Sequence, residues 1–487
     1  MRRPLLGGLR WTLWLAAAGL PFSYGTRVLL ARVSPDCLAI YGLLLVYIGY
    51  VAGFLFLGGN AVAIRYVPTL DAEGRRDFLG SYACILVAAW LPWLALAVVA
   101  PGWLGWLFGG LGGGFALLMV ALAPLPIAFS LLLSALKGAL DLACAQAFYR
   151  AVTVGTLVGV AVLVLAARPL LQAHAAWMLW GWYLVLMALG SAVAWRRWRR
   201  LVRSVSRWHW RLPPDFWGYT LGLQGSSMLG FFATQLDMLL VLHVGGLHLL
   251  GGYVAIMSLA ALVTATLKLL LDAHMVAITQ GTARQDAALT GELFHNCSRL
   301  LLPFMLLLAV ALACFAPPLL SIYGSGYGSL AGALRWLGPC AAVASLNLLL
   351  GSSLSALGHP RAEIQAKCVR IAAYVALFVP LWRAWGIEGA VLAWGGAEIP
   401  YQLMHLFWLR RLAPFRLRWR RLYPAYVAVV ALTAVLTQWR QPATLAAGAG
   451  MWVLLGALFF VLAGYSRAEL GRHIRIFLPG AALEGGA

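Results

Sequence analysis

Charged residues are scarce in this chain. They make up 10% of its 487 residues, whereas 63% of the residues are hydrophobic. A typical water-soluble domain contains about 25% charged and roughly 45–50% apolar residues, so a water-soluble fold is excluded. Apolar runs of about 20 residues, the length of a membrane-spanning helix, recur from Trp11 almost to the C-terminus. The composition therefore predicts an all-α, polytopic membrane protein.

Motifs that indicate an enzyme or an ATP-driven pump are also missing. The sequence has no GxxxxGK[ST] phosphate loop, which disfavours a pump driven by ATP. Its cysteines form no CxxC pair, so neither a metal site nor a disulfide is expected from them. The longest segment predicted on the outer side, Pro317 to Ala333, contains no Asp, Glu, His, Lys or Arg. It therefore lacks the acids and bases that a membrane glycosyltransferase or polymerase needs. We predict a protein that is not an enzyme and needs no cofactor or metal, apart from a possible H⁺ or Na⁺ coupling ion.

Acidic residues are few relative to basic ones, with 15 Asp and Glu against 36 Lys and Arg and a net charge of +21. In a soluble protein this balance would suggest nucleic-acid binding. Here, however, the basic residues fall almost entirely between the apolar segments, thirty on one side of the predicted membrane and six on the other. Lys and Arg accumulate in cytoplasmic loops, so the bias predicts a multi-pass membrane protein with both termini in the cytoplasm. No nucleic-acid partner is expected.

The apolar runs divide into about 14 membrane helices, separated by two Arg-rich linkers. We predict an N-terminal six-helix lobe at 1–195, a basic cytoplasmic linker at 196–215 and a C-terminal six-helix lobe at 216–408. The remaining segment, 409–487, contains the second basic linker, a terminal helix pair and a cytoplasmic tail. Equal helix numbers on the two sides of the first linker favour two related lobes, an arrangement that places a substrate path between them.

Three stretches resemble a known transporter family and occur in the order found there: QLDMLLVLHVGGLHLLGGYVAI from Gln235, SIYGSGYGSLAGALRWL from Ser321, and Leu357-Gly358 followed by GIEGAVLA from Gly386. The chain looks like a Wzx-type polysaccharide or O-antigen flippase of the multidrug/oligosaccharidyl-lipid/polysaccharide exporter superfamily. The resemblance implies two lobes, alternating access and a cargo of undecaprenyl-diphosphate-linked oligosaccharide, moved from the cytoplasmic to the periplasmic leaflet for surface polysaccharide biosynthesis.

Four basic residues are candidate ligands for such a cargo: Arg27, Arg65, Lys268 and Arg370. Arg27 lies within the first apolar run, where its guanidinium fork matches phosphate oxygens or alternatively snorkels to the outer surface. Arg65 ends the second run and also suits an anchoring role. Lys268 has Asp272 four residues later, a spacing that allows an ion pair on one helix face.

Two acidic residues within apolar runs, Asp237 and Glu398, are candidates for ion coupling. An ionisable residue inside a membrane is costly and is by default a functional hypothesis. Asp237 ends a stripe formed with Gln224, Ser227, Gly230 and Thr234, which should face the protein interior or a wet cavity.

Two other functions remain open within the same superfamily, namely an ion-coupled multidrug exporter and a lipid II flippase. A cationic drug requires acidic cavity groups, whereas a diphosphate requires basic ones. The expected partners of the predicted flippase are its lipid-linked cargo and membrane lipids, with a polysaccharide polymerase or glycosyltransferase as further possible partners.

Overall fold

A computed structural model of the chain describes residues 21–100, 113–139, 141–201, 209–283, 286–357, 359–416, 419–439 and 444–466, together with residues 19, 102, 108 and 111. Within these residues the chain is helical and contains no β-strand. It forms two compact units, Met1–Ser258 and Leu259–Ala487. The lobe and linker boundaries predicted around residues 196–215 stay a prediction.

The first unit contains eight α-helices and the beginning of a ninth. They are α1 (21–33), α2 (Pro35–Tyr50), α3 (Gly59–Tyr66), α4 (Ala72–Val99), α5 (Gly113–Ala121), α6 (Pro124–Gly138), α7 (Leu142–Ala166), α8 (Arg168–Leu201) and α9 (Phe216–Ala283). Capping residues define the starts of two of them: Ser34 Oγ accepts a hydrogen bond from the Cys37 amide of α2, and Asp71 Oδ1 accepts one from the Gly74 amide of α4. Both satisfy amides that the first helical turn leaves without a partner. Helix α6 packs against α3 and α8.

The second membrane helix is interrupted near its middle. Helix α2 passes into the π-helix Val51–Leu55, and α3 begins only after Gly58, whose φ of 71° is left-handed. A π-helical turn and a left-handed residue both leave backbone groups without their usual helical partners. Such irregular backbone is tolerated at membrane depth only where other groups of the protein or water satisfy it.

The second unit contains the remainder of α9 and six further α-helices. They are α10 (Ala287–Cys314), α11 (Ala316–Ser321), α12 (Ala331–Ala356), α13 (Pro360–Leu412), α14 (Leu422–Trp439) and α15 (Leu445–Leu462). Helix α12 is central to this unit, because it packs against α10, α13 and α14 and most of its side chains are buried.

Two glycines divide the longest helices into membrane-length halves. Gly246 (φ 75°, ψ −179°) separates α9a (216–245) from α9b (247–283), and Gly386 (φ 54°, ψ −126°) separates α13a (360–385) from α13b (387–412). Glycine adopts these positive φ angles without the steric cost of a Cβ atom.

Eleven helical segments of the described chain are long and apolar enough to cross a membrane. Two of them, 216–264 and 361–412, contain the breaks at Gly246 and Gly386 and so supply two spans each. Together with α1 the segments fit the predicted number of about 14 helices, and the prediction of an all-α polytopic membrane protein is confirmed.

Candidate functional site

Two arginines lie half-buried in the first unit, Arg27 on α1 and Arg150 on α7. The Nε atom of each is buried and has no hydrogen-bond partner among the described residues. Arg150 packs so closely against α1 that a Cβ atom at Gly19 would collide with its guanidinium, and Arg27 interacts electrostatically with Tyr41 of α2. Buried polar groups in proteins are nearly always hydrogen-bonded, so these two donors suit an anion or ordered water.

Arg150 was not among the site residues predicted from the sequence. It lies at the beginning of an apolar run, and the sequence does not show which helix its side chain packs against. Its proximity to α1 follows only from the packing of α7 against that helix, where Leu157 Cδ1 lies 3.5 Å from the Cβ position of Gly25.

Arg65 occupies a different environment at the end of α3. Its Nη2 atom donates to Asp215 Oδ2 over 2.7 Å, and its guanidinium carbon lies 4.0 Å from the ring centroid of Tyr219. The side chains of Arg65 and Asp215 are 47% and 53% exposed. Exposed ion pairs of this kind contribute about 0–1 kcal/mol. The geometry therefore suits an anchor at the end of a membrane helix.

The predicted polar stripe of α9a is buried at both ends. At one end, Gln224 Nε2 donates to the Gly53 carbonyl over 2.7 Å and its Oε1 accepts from the Gly58 amide over 2.9 Å. The side chain of Gln224 thus replaces helical hydrogen bonds that the interrupted second membrane helix lacks. At the other end, Asp237 Oδ2 accepts a hydrogen bond of 2.9 Å from the Tyr253 hydroxyl of α9b, across the break at Gly246. In the middle of the stripe, Thr234 is exposed.

In the second unit, the structure brings Arg370 and Glu398 together, although the sequence predicted different roles for them. Arg370 Nε of α13a lies 2.6 Å from Glu398 Oε1 of α13b, with side chains that are 13% and 4% exposed. Asn347 of α12 donates through Nδ2 to Glu398 Oε2 over 2.7 Å and to the Glu398 carbonyl over 2.8 Å. Both oxygens of this buried carboxylate are therefore bound to the protein.

A second acid, the half-buried Glu363, lies at the start of the same helix and was not predicted. Its Oε2 atom lies 2.7 Å from His405 Nε2, while its Oε1 atom accepts from the Tyr401 hydroxyl over 2.8 Å and lies 3.6 Å from Lys367 Nζ. His405 is fully buried, and its Nδ1 atom has no hydrogen-bond partner among the described residues.

The two carboxylates belong to one continuous group, which we name the polar ladder. Its members come from two helix halves that face each other: Glu363, Lys367 and Arg370 on α13a, and Glu398, Tyr401 and His405 on α13b. Spacings of three, four and seven residues place the members of each set on one helix face. That spacing was readable in the sequence, but which two faces pair was not.

Lys268 lies in the helical backbone of α9b, while its side chain falls outside the described part of the structure. Its predicted contact with the cargo stays a prediction.

The arrangement of helices is similar to that of several solved membrane transporters. No family model matches the sequence, and no curated protein matches it. Among solved structures, the chain is similar to the inward closed conformation of the lipid II flippase MurJ, with a TM-score of 0.64 and 12% identity over 92% of this chain and 98% of that one. It is also similar to the inward-facing conformation of a multidrug resistance MATE family transporter of the MOP superfamily (TM-score 0.64, 12% identity, 83% of this chain and 97% of that one).

A third solved structure of this fold is a MOP superfamily transporter from Pyrococcus furiosus for which a binding pocket of reverse polarity is described, with a TM-score of 0.57 and 13% identity over 89% of this chain and 96% of that one. The chain thus has the same fold as these transporters. At these identities the similarity concerns the fold alone, and the Wzx branch stays a prediction.

Proposed function

We propose that this protein is a flippase that moves an undecaprenyl-diphosphate-linked oligosaccharide from the cytoplasmic to the periplasmic leaflet of a bacterial inner membrane. The observation that supports this cargo is the pair of half-buried arginines in the first unit, Arg27 and Arg150, whose Nε atoms have no protein partner among the described residues. A diphosphate supplies acceptor oxygens in the geometry that a guanidinium fork binds.

The buried acids of the first unit argue against a cationic drug as the cargo. In the described residues, Asp77 is bound by Arg76 at 2.8 Å and Asp237 is bound by the Tyr253 hydroxyl, whereas neither Arg27 nor Arg150 belongs to an ion pair. The uncompensated charge in this unit is therefore positive, which favours an anionic cargo over a multidrug substrate.

A lipid II flippase is the second candidate. The fold covers 98% of the MurJ chain, and lipid II presents a diphosphate too, so the two candidates share the chemistry that the arginines would bind. They differ in the sugar, which interacts with other residues. A direct comparison of the two cargoes decides between them.

Transport by alternating access would use a gradient of H⁺ or Na⁺, with Asp237 as the candidate in the first unit. We place both termini in the cytoplasm and expect membrane lipids to surround the protein. Glycosyltransferases and a polysaccharide polymerase would act before and after it on the same lipid-linked glycan.

The test of the cargo site is a substitution series at Arg27 in cells that depend on this protein for glycan export. Lysine keeps the charge but loses the bidentate fork, whereas alanine loses both. A charge-assisted hydrogen bond contributes roughly 1.5–3 kcal/mol, which is about one to two powers of ten in a binding constant. At matched protein levels we expect export to fall in the order wild type, Arg27→Lys, Arg27→Ala, and Arg150→Ala to be impaired as well.

Arg32→Ala is the matched control, because Arg32 lies on the same helix and its side chain is exposed. It should export normally. Full export by Arg27→Ala would leave Arg27 as an interfacial anchor and remove the diphosphate site. Efflux of cationic dyes by the wild type without any glycan export would favour the multidrug exporter.

A further inference from the structure

The Glu363–His405 pair of the polar ladder joins the two helix halves, but His405 also has a feature that this structural role does not explain. His405 is completely buried, and it uses Nε2 to bind Glu363, leaving Nδ1 as a buried ring nitrogen without a partner among the described residues. A buried polar atom without a partner destabilises the folded protein. Its retention in a packed membrane domain points to a ligand that binds this atom during the working cycle.

The surroundings of the pair define what that ligand can be. On α13 itself, Glu363 is held by Lys367 and Tyr401 as well as by His405. From α12, Gly351 approaches so closely that its Cβ position lies 2.9 Å from Glu363 Oε2 and 3.4 Å from His405 Cε1. The backbone of α12 thus packs directly against this side of the pair and leaves no space there even for a methyl group.

The other charged and titratable groups near the pair lie further along α13 and on α14. Arg370 and Glu398 form the neighbouring ion pair, and the ring of Tyr401 lies between the two pairs, with its centroid 5.8 Å from the guanidinium carbon of Arg370. From α14, Tyr423 accepts a hydrogen bond of 3.1 Å from Gln402. With His405 neutral, the two carboxylates balance Lys367 and Arg370, so the ladder has no net charge and offers no spare carboxylate.

Sodium is bound by several oxygen ligands, and both carboxylates of the ladder are already occupied by cationic or hydrogen-bond donor groups. A proton needs only one lone pair. Histidine is the side chain whose charge changes most readily between pH 5 and 8, and an adjacent carboxylate stabilises its protonated form. The pair therefore has the composition of a proton-binding site and lacks that of a metal-ion site.

We propose that Glu363 and His405 form the proton-binding site through which a proton gradient drives this transporter, an inference that rests on the proposed function and names its coupling ion. A proton from hydronium binds the lone pair of Nδ1, the imidazole becomes an imidazolium, and release to water reverses the step. Protonation changes the charge of the polar ladder from zero to +1, which alters the electrostatics between α13a and α13b, the two helix halves that the ladder joins.

Access to water is available from the end of the ladder where Glu363 lies. The side chains of Glu363 and Lys367 are 16% and 22% exposed, against 0% for His405. Glu363 is in the first turn of α13, so this exposed edge lies at the end of a membrane helix, within reach of the aqueous phase. The Glu363–His405 pair therefore lies close to the part of the helix that the aqueous phase can reach.

The first experiment measures proton binding directly and needs no cargo. The full-length protein, labelled with ¹³C and ¹⁵N histidine, is placed in lipid vesicles, and its histidine resonances are recorded between about pH 5 and pH 9, the range around ordinary histidine titration. The His405→Gln variant identifies the resonance of His405, and His243→Gln, at an exposed histidine of α9a, is the matched control. We expect Nδ1 of His405 to carry a proton at the acidic end of this range and to have lost it at the basic end, and we expect Glu363→Gln to change the pH at which the proton is lost.

The second experiment measures glycan export as a function of external pH at matched protein levels. A single titrating group changes its protonated population by up to about tenfold per pH unit, so we expect the wild type and His243→Gln to share a steep profile and His405→Gln to lose it. A merely structural role would lower export at every pH equally. Replacement of Na⁺ by K⁺ should leave the profile unchanged.

Two results would overturn the inference: a His405 resonance that keeps one protonation form over the whole range, or a His405→Gln variant with the wild-type pH profile. Failure of the proposed function is recognised separately, since it would show as absence of glycan export by the wild-type protein at every pH, whatever the His405 resonance does.

Discussion

The buried ion pair of Arg370 and Glu398 leads to an asymmetric prediction for its two single variants. Glu398→Gln removes the negative charge and leaves Arg370, whose side chain is 13% exposed, without a counter-charge. Arginine cannot release its proton in a protein. By contrast, Arg370→Gln leaves Glu398, which can take up a proton and become neutral while keeping its hydrogen bond from Asn347.

The two single variants should therefore lose different amounts of free energy of unfolding. Breaking a buried pair so that one charge remains uncompensated costs about 3–5 kcal/mol, which we expect for Glu398→Gln. Arg370→Gln should cost less, about 1–3 kcal/mol, the range for leaving a polar group without its partner. The double variant removes both charges and should be more stable than Glu398→Gln alone. Since hydrogen bonds between membrane helices average only about 0.6 kcal/mol, a loss of several kcal/mol would identify the uncompensated charge as its cause.

The assay is thermal or denaturant unfolding of the purified full-length protein, completed as a double-mutant cycle. Arg383→Gln is the control, because this exposed arginine lies on the same helix half and its replacement should change the free energy of unfolding by no more than about 0.5 kcal/mol. The reasoning is refuted if Arg370→Gln is as destabilising as Glu398→Gln, or if the double variant shows the sum of the two single effects.

Two further predictions concern topology and the interrupted second membrane helix. An alkaline-phosphatase fusion after Arg211 should be inactive and one within Pro317–Ala333 active, because the basic residues concentrate on the side of Arg211. Equal activity of the two fusions would contradict the predicted orientation. Gly58→Ala should destabilise the protein by about 1–2 kcal/mol, the cost of a left-handed residue with a Cβ atom, with a further cost because that atom would lie 2.6 Å from Val62 Cγ2. Gly225→Ala, whose Cβ position has no neighbour within 4 Å, is the control in the same unfolding measurement, and equal stability of the two variants would contradict the prediction.

Much of the fold was predictable because it depends on local composition. A membrane helix needs only about 20 apolar residues in succession, and its backbone hydrogen bonds close within the segment itself. The number of helices and the all-α class therefore follow from the apolar runs. The same reasoning placed Asp237 and Glu398 within membrane helices, where the structure also has them.

The partners of the polar residues were not predictable in this way. Asp237 binds Tyr253 across the break at Gly246, and Glu398 binds Arg370 across the break at Gly386. In each case the contact depends on how two helix halves turn toward each other after a glycine with positive φ. Apolar runs carry no information about that angle, because nearly any apolar surface packs against another in a membrane.

The sequence alone therefore determined that this protein is built from about 14 membrane helices, because that property comes from the transfer of individual residues between water and lipid. The tertiary structure decided which charges are compensated. It pairs Arg370 with Glu398 and Glu363 with His405, and it leaves Arg27 outside the ion pairs of the described residues. That outcome depends on distances of a few ångströms between residues that are far apart in the chain, which only the packing of the helices sets.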